Sequence, residues 1–206
     1  MIKIKICGLR READIAYVNE CRPDYVGFVF AESKRKVTKE QAKKLRSMLY
    51  PQMTPVGVFV NEKIEMITEL VQENIIDVVQ LHGEETEEYI KKLRWCLKDT
   101  PIVKAIRVSS REDVKNCEES QADYLLFDSR SLKAYGGTGE TFDWELIKEI
   151  QKPFFLAGGI NKENIEEAIL KLHPFVIDVS SAVETDGLKD RKKIIEIVEK
   201  VRQMEE

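Results

Sequence analysis

Two side chains stand where an α/β protein places chemistry. Cys7 ends the alternating run Lys3-Ile4-Lys5-Ile6-Cys7, and Gly8 follows it. Alternation of this kind predicts a strand with unlike faces, so Cys7 shares the face of Lys3 and Lys5, opposite the isoleucines. A thiol at the C-terminal end of a strand, with a glycine freeing the backbone, suits a nucleophile or a base; the plainer alternative is a small buried hydrophobe. Asp128 closes the apolar run Tyr124-Leu125-Leu126-Phe127 in phase with Tyr124 and Leu126. A carboxylate there is a candidate general acid or base, or else an N-cap or ion-pair partner. Arg35 lies in the basic stretch Ser33-Lys34-Arg35-Lys36. Its planar guanidinium would hold a carboxylate bidentately, although such clusters are by default solvated turns.

A second group of residues points to an anion. Gly158-Gly159 and Ser180-Ser181 each follow an apolar run and precede a helical stretch. Small residues there offer unblocked backbone N–H groups to a phosphate, or simply make tight turns. Gly136-Gly137-Thr138-Gly139 is a flexible loop that could fold over a ligand, Gly137 included. His82 ends one strand while His173 precedes another, so the two histidines fall at opposite ends and no metal site is expected.

These residues need a scaffold, and the chain supplies a regular one. Strands are expected near 2–7, 24–30, 55–60, 77–81, 101–107, 123–128, 153–157 and 175–179, separated by helical segments. The helices are expected over 14–20, 38–50, 61–74, 84–97, 111–120, 142–150, 161–172 and 190–203, with Thr38 and Gln41 forming a capping box and Asn61 and Asn161 acting as caps. Eight βα units in 206 residues predict a single-domain α/β (β/α)8 TIM barrel spanning 1–206. An open doubly wound sheet is the competitor, weakened by the lack of a GxGxxG fingerprint after the first strand. In a barrel the active site forms at the C-terminal ends of the strands. Cys7 and Asp128, on the first and sixth strands, would then face each other across the mouth, as an acid and a base acting on one small molecule. Lys5 and Asp178 would pair inside.

Composition narrows the function classes. The net charge of −4 argues against general nucleic-acid binding, and no apolar run reaches membrane-span length. The four cysteines, Cys7, Cys21, Cys96 and Cys117, show neither disulfide nor zinc spacing. A reduced, cytoplasmic setting without a signal peptide is expected.

The ordered motifs resemble the phosphoribosylanthranilate isomerases of tryptophan biosynthesis along the whole chain. They are Lys5-Ile6-Cys7-Gly8, Val26–Phe30 with Ser33-Lys34-Arg35, Val56–Asn61, Val79–Gly83, Phe127-Asp128-Ser129, Gly136–Gly139 with Phe142-Asp143-Trp144, Ala157-Gly158-Gly159, and Asp178–Ser181. The resemblance implies a cofactor-free Amadori rearrangement of N-(5-phosphoribosyl)anthranilate by a monomer or homodimer. It implies that Asp128 is the general acid, Cys7 the general base and Arg35 the holder of the anthranilate carboxylate. Gly137, Gly158, Gly159, Ser180 and Ser181 fall in substrate-binding segments. A base at Cys7 would need a positive neighbour to favour thiolate, and the sequence does not show which. Arg10, Ala182 and the proline-free stretch Asp186–Asp190 depart from the common family pattern, leaving the shape of the last loop open. A sugar-phosphate epimerase, an indole-glycerol-phosphate synthase, an isomerase also accepting the histidine-pathway ribonucleotide and a non-catalytic phosphometabolite sensor are the alternatives. The sensor would have no need to retain both Cys7 and Asp128.

Overall fold

The computed structural model describes residues 2–129 and 142–204. Eight parallel strands close into a barrel in sequence order: β1 (Lys3–Cys7), β2 (Tyr25–Val29), β3 (Thr54–Phe59), β4 (Val78–Leu81), β5 (Ile102–Val108), β6 (Tyr124–Ser129), β7 (Phe154–Leu156) and β8 (Val176–Val179). Closure rests on β1, which aligns Lys5 with Tyr25 of β2 on one side and with Asp178 of β8 on the other. A closed ring has no edge strand, which excludes the open doubly wound alternative.

The pleat separates two apolar cores. Ile4, Ile6, Val26, Phe28, Leu81, Phe127 and Ile177 face outward and pack under the helices. Tyr25, Val56, Val78, Val103, Leu126, Phe155 and Val176 fill the interior. Each large aliphatic or aromatic side chain buried in this way contributes about 1.5–3 kcal/mol. Lys5, Cys7, Leu126 and Asp128 take the inward phase anticipated from the alternation, and the interior pair forms, with Lys5 Nζ 2.7 Å from Asp178 Oδ2.

Helices α1 (Glu12–Cys21), α2 (Lys39–Ser47), α3 (Ile64–Gln72), α4 (Glu87–Leu97), α5 (Arg111–Val114), α6 (Ile165–Leu172) and α7 (Arg191–Gln203) cover the ring. The Thr38–Gln41 capping box is present, and Asp190 caps α7. Three helical expectations need correction. Residues 142–150 form only a 3-10 turn, Trp144–Leu146, because the backbone bonds there run from residue i+3 back to i. The stretch 111–120 breaks after Val114, where Lys115 is extended and Asn116 left-handed. Asn61 caps no helix: it is left-handed (φ 50°), its Oδ1 accepts from Glu84 N, and α3 starts after Lys63. The last loop, left open by the sequence, is a small hairpin of β9 (Glu184–Thr185) and β10 (Leu188–Lys189), turning through left-handed Asp186 and Gly187. No helix among the described residues is long and apolar enough to cross a membrane.

Candidate active site at the barrel mouth

Cys7 ends β1 with its side chain in the interior, 9% exposed. Gly27 on the neighbouring strand makes room for it: a Cβ there would lie 2.7 Å from Cys7 Sγ. Burial pushes the thiol above its ordinary range. The charges of Lys5 and Lys189 oppose this, and that of Asp178 adds to it. The positive neighbours that the sequence could not name are therefore Lys5, two residues back on the same strand face, and Lys189 of β10. Burial is the largest influence on Lys5 and works against its charge, but Asp178 and Cys7 together outweigh it and hold the ammonium above its usual range.

Beside the thiol lies a second buried charge group that sequence reasoning missed. Glu184 grips Arg35 with both oxygens, Oε1 2.7 Å from Nε and Oε2 2.8 Å from Nη2. Lys189 Nζ donates to the same Oε1 at 2.7 Å and to the Ser180 carbonyl at 2.9 Å. Burial would raise the Glu184 carboxyl, but the two cations hold it at about 2. The Arg35 stem crosses directly over Gly8, whose φ of +86° and missing Cβ permit the approach; a Cβ would lie 2.5 Å from Arg35 Cδ. Arg35 is thus a held residue rather than a solvated turn. The only signal for its partners was their position in the final loop, and the hairpin that folds them inward has no distinctive sequence pattern. Arg10, one of the departures, reaches that hairpin through Nη2 to Gly187 O at 3.5 Å.

Asp128 is the penultimate residue of β6, three strand steps from β1 around the ring through β7 and β8. Its Oδ2 lies 3.2 Å from His82 Nε2, and His82 Nδ1 lies 3.1 Å from Gln80 Nε2. Arg107 donates to the His82 carbonyl at 3.1 Å. The loop after β4 is pinned from below: Glu85 accepts from Gly83 N and Asn61 N, and Lys104 Nζ pairs with it at 2.8 Å. Lys104, which also donates to the Gly83 carbonyl at 2.7 Å, is thereby a loop anchor.

Gly158 and Gly159 follow β7, both at φ +72°. Ser180 and Ser181 follow β8, and Ser180 Oγ donates to the Cys7 carbonyl at 3.2 Å. All four stand at the C-terminal strand ends, with Cys7, Arg35, His82 and Asp128. Gly137 and the rest of its glycine loop lie outside the described residues.

A family model described as N-(5'phosphoribosyl)anthranilate (PRA) isomerase matches residues 4–200. The chain belongs to this family. An N-(5'-phosphoribosyl)anthranilate isomerase of Endomicrobium trichonymphae is 51% identical over 204 residues, covering 99% of this chain and 100% of that protein. The phosphoribosyl anthranilate isomerase structure from Thermotoga maritima superposes with a TM-score of 0.89 at 36% identity, covering 98% of this chain and 100% of the other. A further phosphoribosyl anthranilate isomerase structure, in complex with reduced 1-(o-carboxyphenylamino)-1-deoxyribulose 5-phosphate, matches with a TM-score of 0.85 at 34% identity over 98% and 100% of the two chains. The isomerase function in tryptophan biosynthesis implied by the motifs is that of the chain's own family.

Proposed function

We propose that this mouth carries out the Amadori rearrangement of N-(5-phosphoribosyl)anthranilate to 1-(2-carboxyphenylamino)-1-deoxyribulose 5-phosphate, acting in the cytoplasm as a monomer or homodimer without cofactor or metal. Asp128 is the general acid. It protonates the ring oxygen, the furanose opens, and C1 becomes a Schiff base with the anthranilate nitrogen. Cys7 is the general base that removes the C2 proton, leaving an enolamine that tautomerises to the ketose. A thiol pushed up by burial is a strong base once ionised, which suits a carbon acid. Lys5 and Lys189 supply the positive charge that its thiolate needs.

The observation that carries this reading is the joint arrival of Cys7, Asp128 and Arg35 at one barrel mouth, each on a different βα loop or strand end. Arg35 commits Nε and Nη2 to Glu184, so its Nη1 edge is the one to meet the anthranilate carboxylate. Gly158 and Gly159 after β7, with Ser180 and Ser181 after β8, receive the phosphate on backbone N–H groups, as expected at this position of a (β/α)8 barrel. A reduced product analogue bound to a relative of 34% identity supports the same substrate class.

The test is the anthranilate-type fluorescence of phosphoribosylanthranilate made in situ. Added protein should quench it far faster than the spontaneous rate, without metal or cofactor. Cys7→Ala and Asp128→Ala should each remove at least about 10²-fold of that rate, the lower bound for a positioned acid or base. Both variants should keep the wild-type circular dichroism. Normal turnover in either would remove that residue from its role.

A further inference from the structure

Gln80 is a buried polar side chain of the barrel interior, 2% exposed, that the mechanism above does not use. Its two amide atoms have different surroundings. Nε2 lies 3.1 Å from His82 Nδ1, while Oε1 is buried with no hydrogen-bond partner among the described residues. An amide nitrogen only donates, so His82 Nδ1 is the acceptor and the neutral imidazole carries its proton on Nε2. That Nε2–H donates to Asp128 Oδ2 at 3.2 Å, an arrangement that suits a carboxylate acceptor. An acid, however, has to be loaded before it can act. A pair holding one more proton shares one hydrogen between Asp128 Oδ2 and His82 Nε2 and carries the other on Nδ1, which then needs an acceptor. Rotating the Gln80 amide by half a turn brings the orphaned Oε1 to that place. Buried polar atoms without partners are rare enough to need a reason, and this is one.

We propose that Gln80 is a positioning residue whose amide has two working orientations, one matching ionised Asp128 and one matching the loaded acid. The inference rests on the reading of Asp128 as the general acid. In loading, His82 passes its Nε2 proton to Asp128 and Nδ1 takes one proton from water, for a net gain of one. After Asp128 gives its proton to the sugar oxygen, the imidazole proton returns to Nε2 through solvent and the amide turns back. His82 and Asp128 are 21% and 22% exposed, enough for that exchange. Among the described residues, the charged groups beside the pair include Arg107 of β5, in register with Asp128 and bonded to the His82 carbonyl, and Glu84, which pairs with Arg107.

The tautomer can be read directly. The chain has two histidines, so long-range proton–nitrogen correlation spectra are simple, and His173→Asn, at the left-handed end of α6, assigns the remaining set to His82. The free wild-type protein near neutral pH should show Nε2 protonated and Nδ1 bare. Gln80→Glu, which can only accept at Nδ1, should reverse that. Gln80→Met should give mixed tautomers and lower kcat by about 10-fold with KM little changed, a small loss beside the ~10²–10⁴ of a positioned acid. A wild-type His82 protonated on Nδ1 would overturn the proposal whatever the variants do. So would Gln80→Met with the wild-type tautomer and kcat. Turnover surviving Asp128→Ala would instead remove the acid from its role and leave the tautomer result standing, so the two failures are distinct.

Discussion

The two sides of the mouth are built on different physics. The Cys7 side is dry and ionic. Lys5 is fully buried against Asp178, and the side chains of Glu184 and Lys189 are 8% and 1% exposed. The Asp128 side is wetter and held by hydrogen bonds through His82 and Gln80. On the proposed roles, the difference matches the protons being moved. A base taking a proton from carbon gains strength from desolvation, and the buried thiol is raised accordingly. An acid that must be reloaded each turnover needs contact with water. One site can run both because strands β1 and β6 place them apart on the same ring.

The contrast can be broken at the ionic side first. Lys5→Met leaves the Asp178 carboxylate buried without its counter-charge, and should cost roughly 3–5 kcal/mol in denaturant unfolding. Pairing it with Asp178→Leu should restore most of that loss. A single-variant cost below ~1 kcal/mol would mean the interior is wetter than described. Next in size is the pH dependence of kcat/KM. A base at Cys7 must be thiolate and burial raises its pKa, so on the proposed mechanism activity should climb with pH through an ionisation above the ordinary thiol value of about 8.5. A limb at or below that value would contradict a dry base. Smallest is the acid stability contributed by Glu184, whose carboxyl is lowered from 4.5 to about 2. A depressed carboxyl stabilises the fold above its unfolded value and loses that contribution as pH falls from 4.5 towards 2. Glu184→Gln should therefore flatten the drop in urea midpoint over this window. An unaltered drop would place the acid-sensitive charges elsewhere.

Much of the scaffold was legible because its signals are local and periodic. The inward phase of Lys5, Cys7 and Asp128 followed from alternation, and the Lys5–Asp178 pair from two strands that must meet for the barrel to close. The Thr38–Gln41 cap needed only a spacing of three. What stayed hidden depends on contacts between distant loops. Glu184 and Lys189 are single charges in a polar stretch until the β9–β10 hairpin brings them to Arg35, with the Lys189 charge acting on Cys7. Gln80 reads as an interruption in an apolar strand, since nothing in β4 announces the imidazole above it. Asn61 looked like a helix cap because its type favours one, but its bond runs to Glu84 in the next loop. The helix expected over 142–150 falls in a segment whose backbone closes tighter turns.

The ring's closure by β1 and β8 also orders events in time. The Asp128–His82 contact spans 46 residues, whereas Lys5–Asp178 spans 173. Contacts of large sequence separation form late, because the chain entropy of closing the intervening loop must be overcome first. On a ribosome, the acid half of the site can assemble while the chain is still growing. The base half must wait for β8, so β1 would spend most of synthesis without its lysine's counter-ion and with its thiol uncovered. Chemical reactivity of Cys7 towards a thiol probe therefore doubles as a clock for the last step of folding.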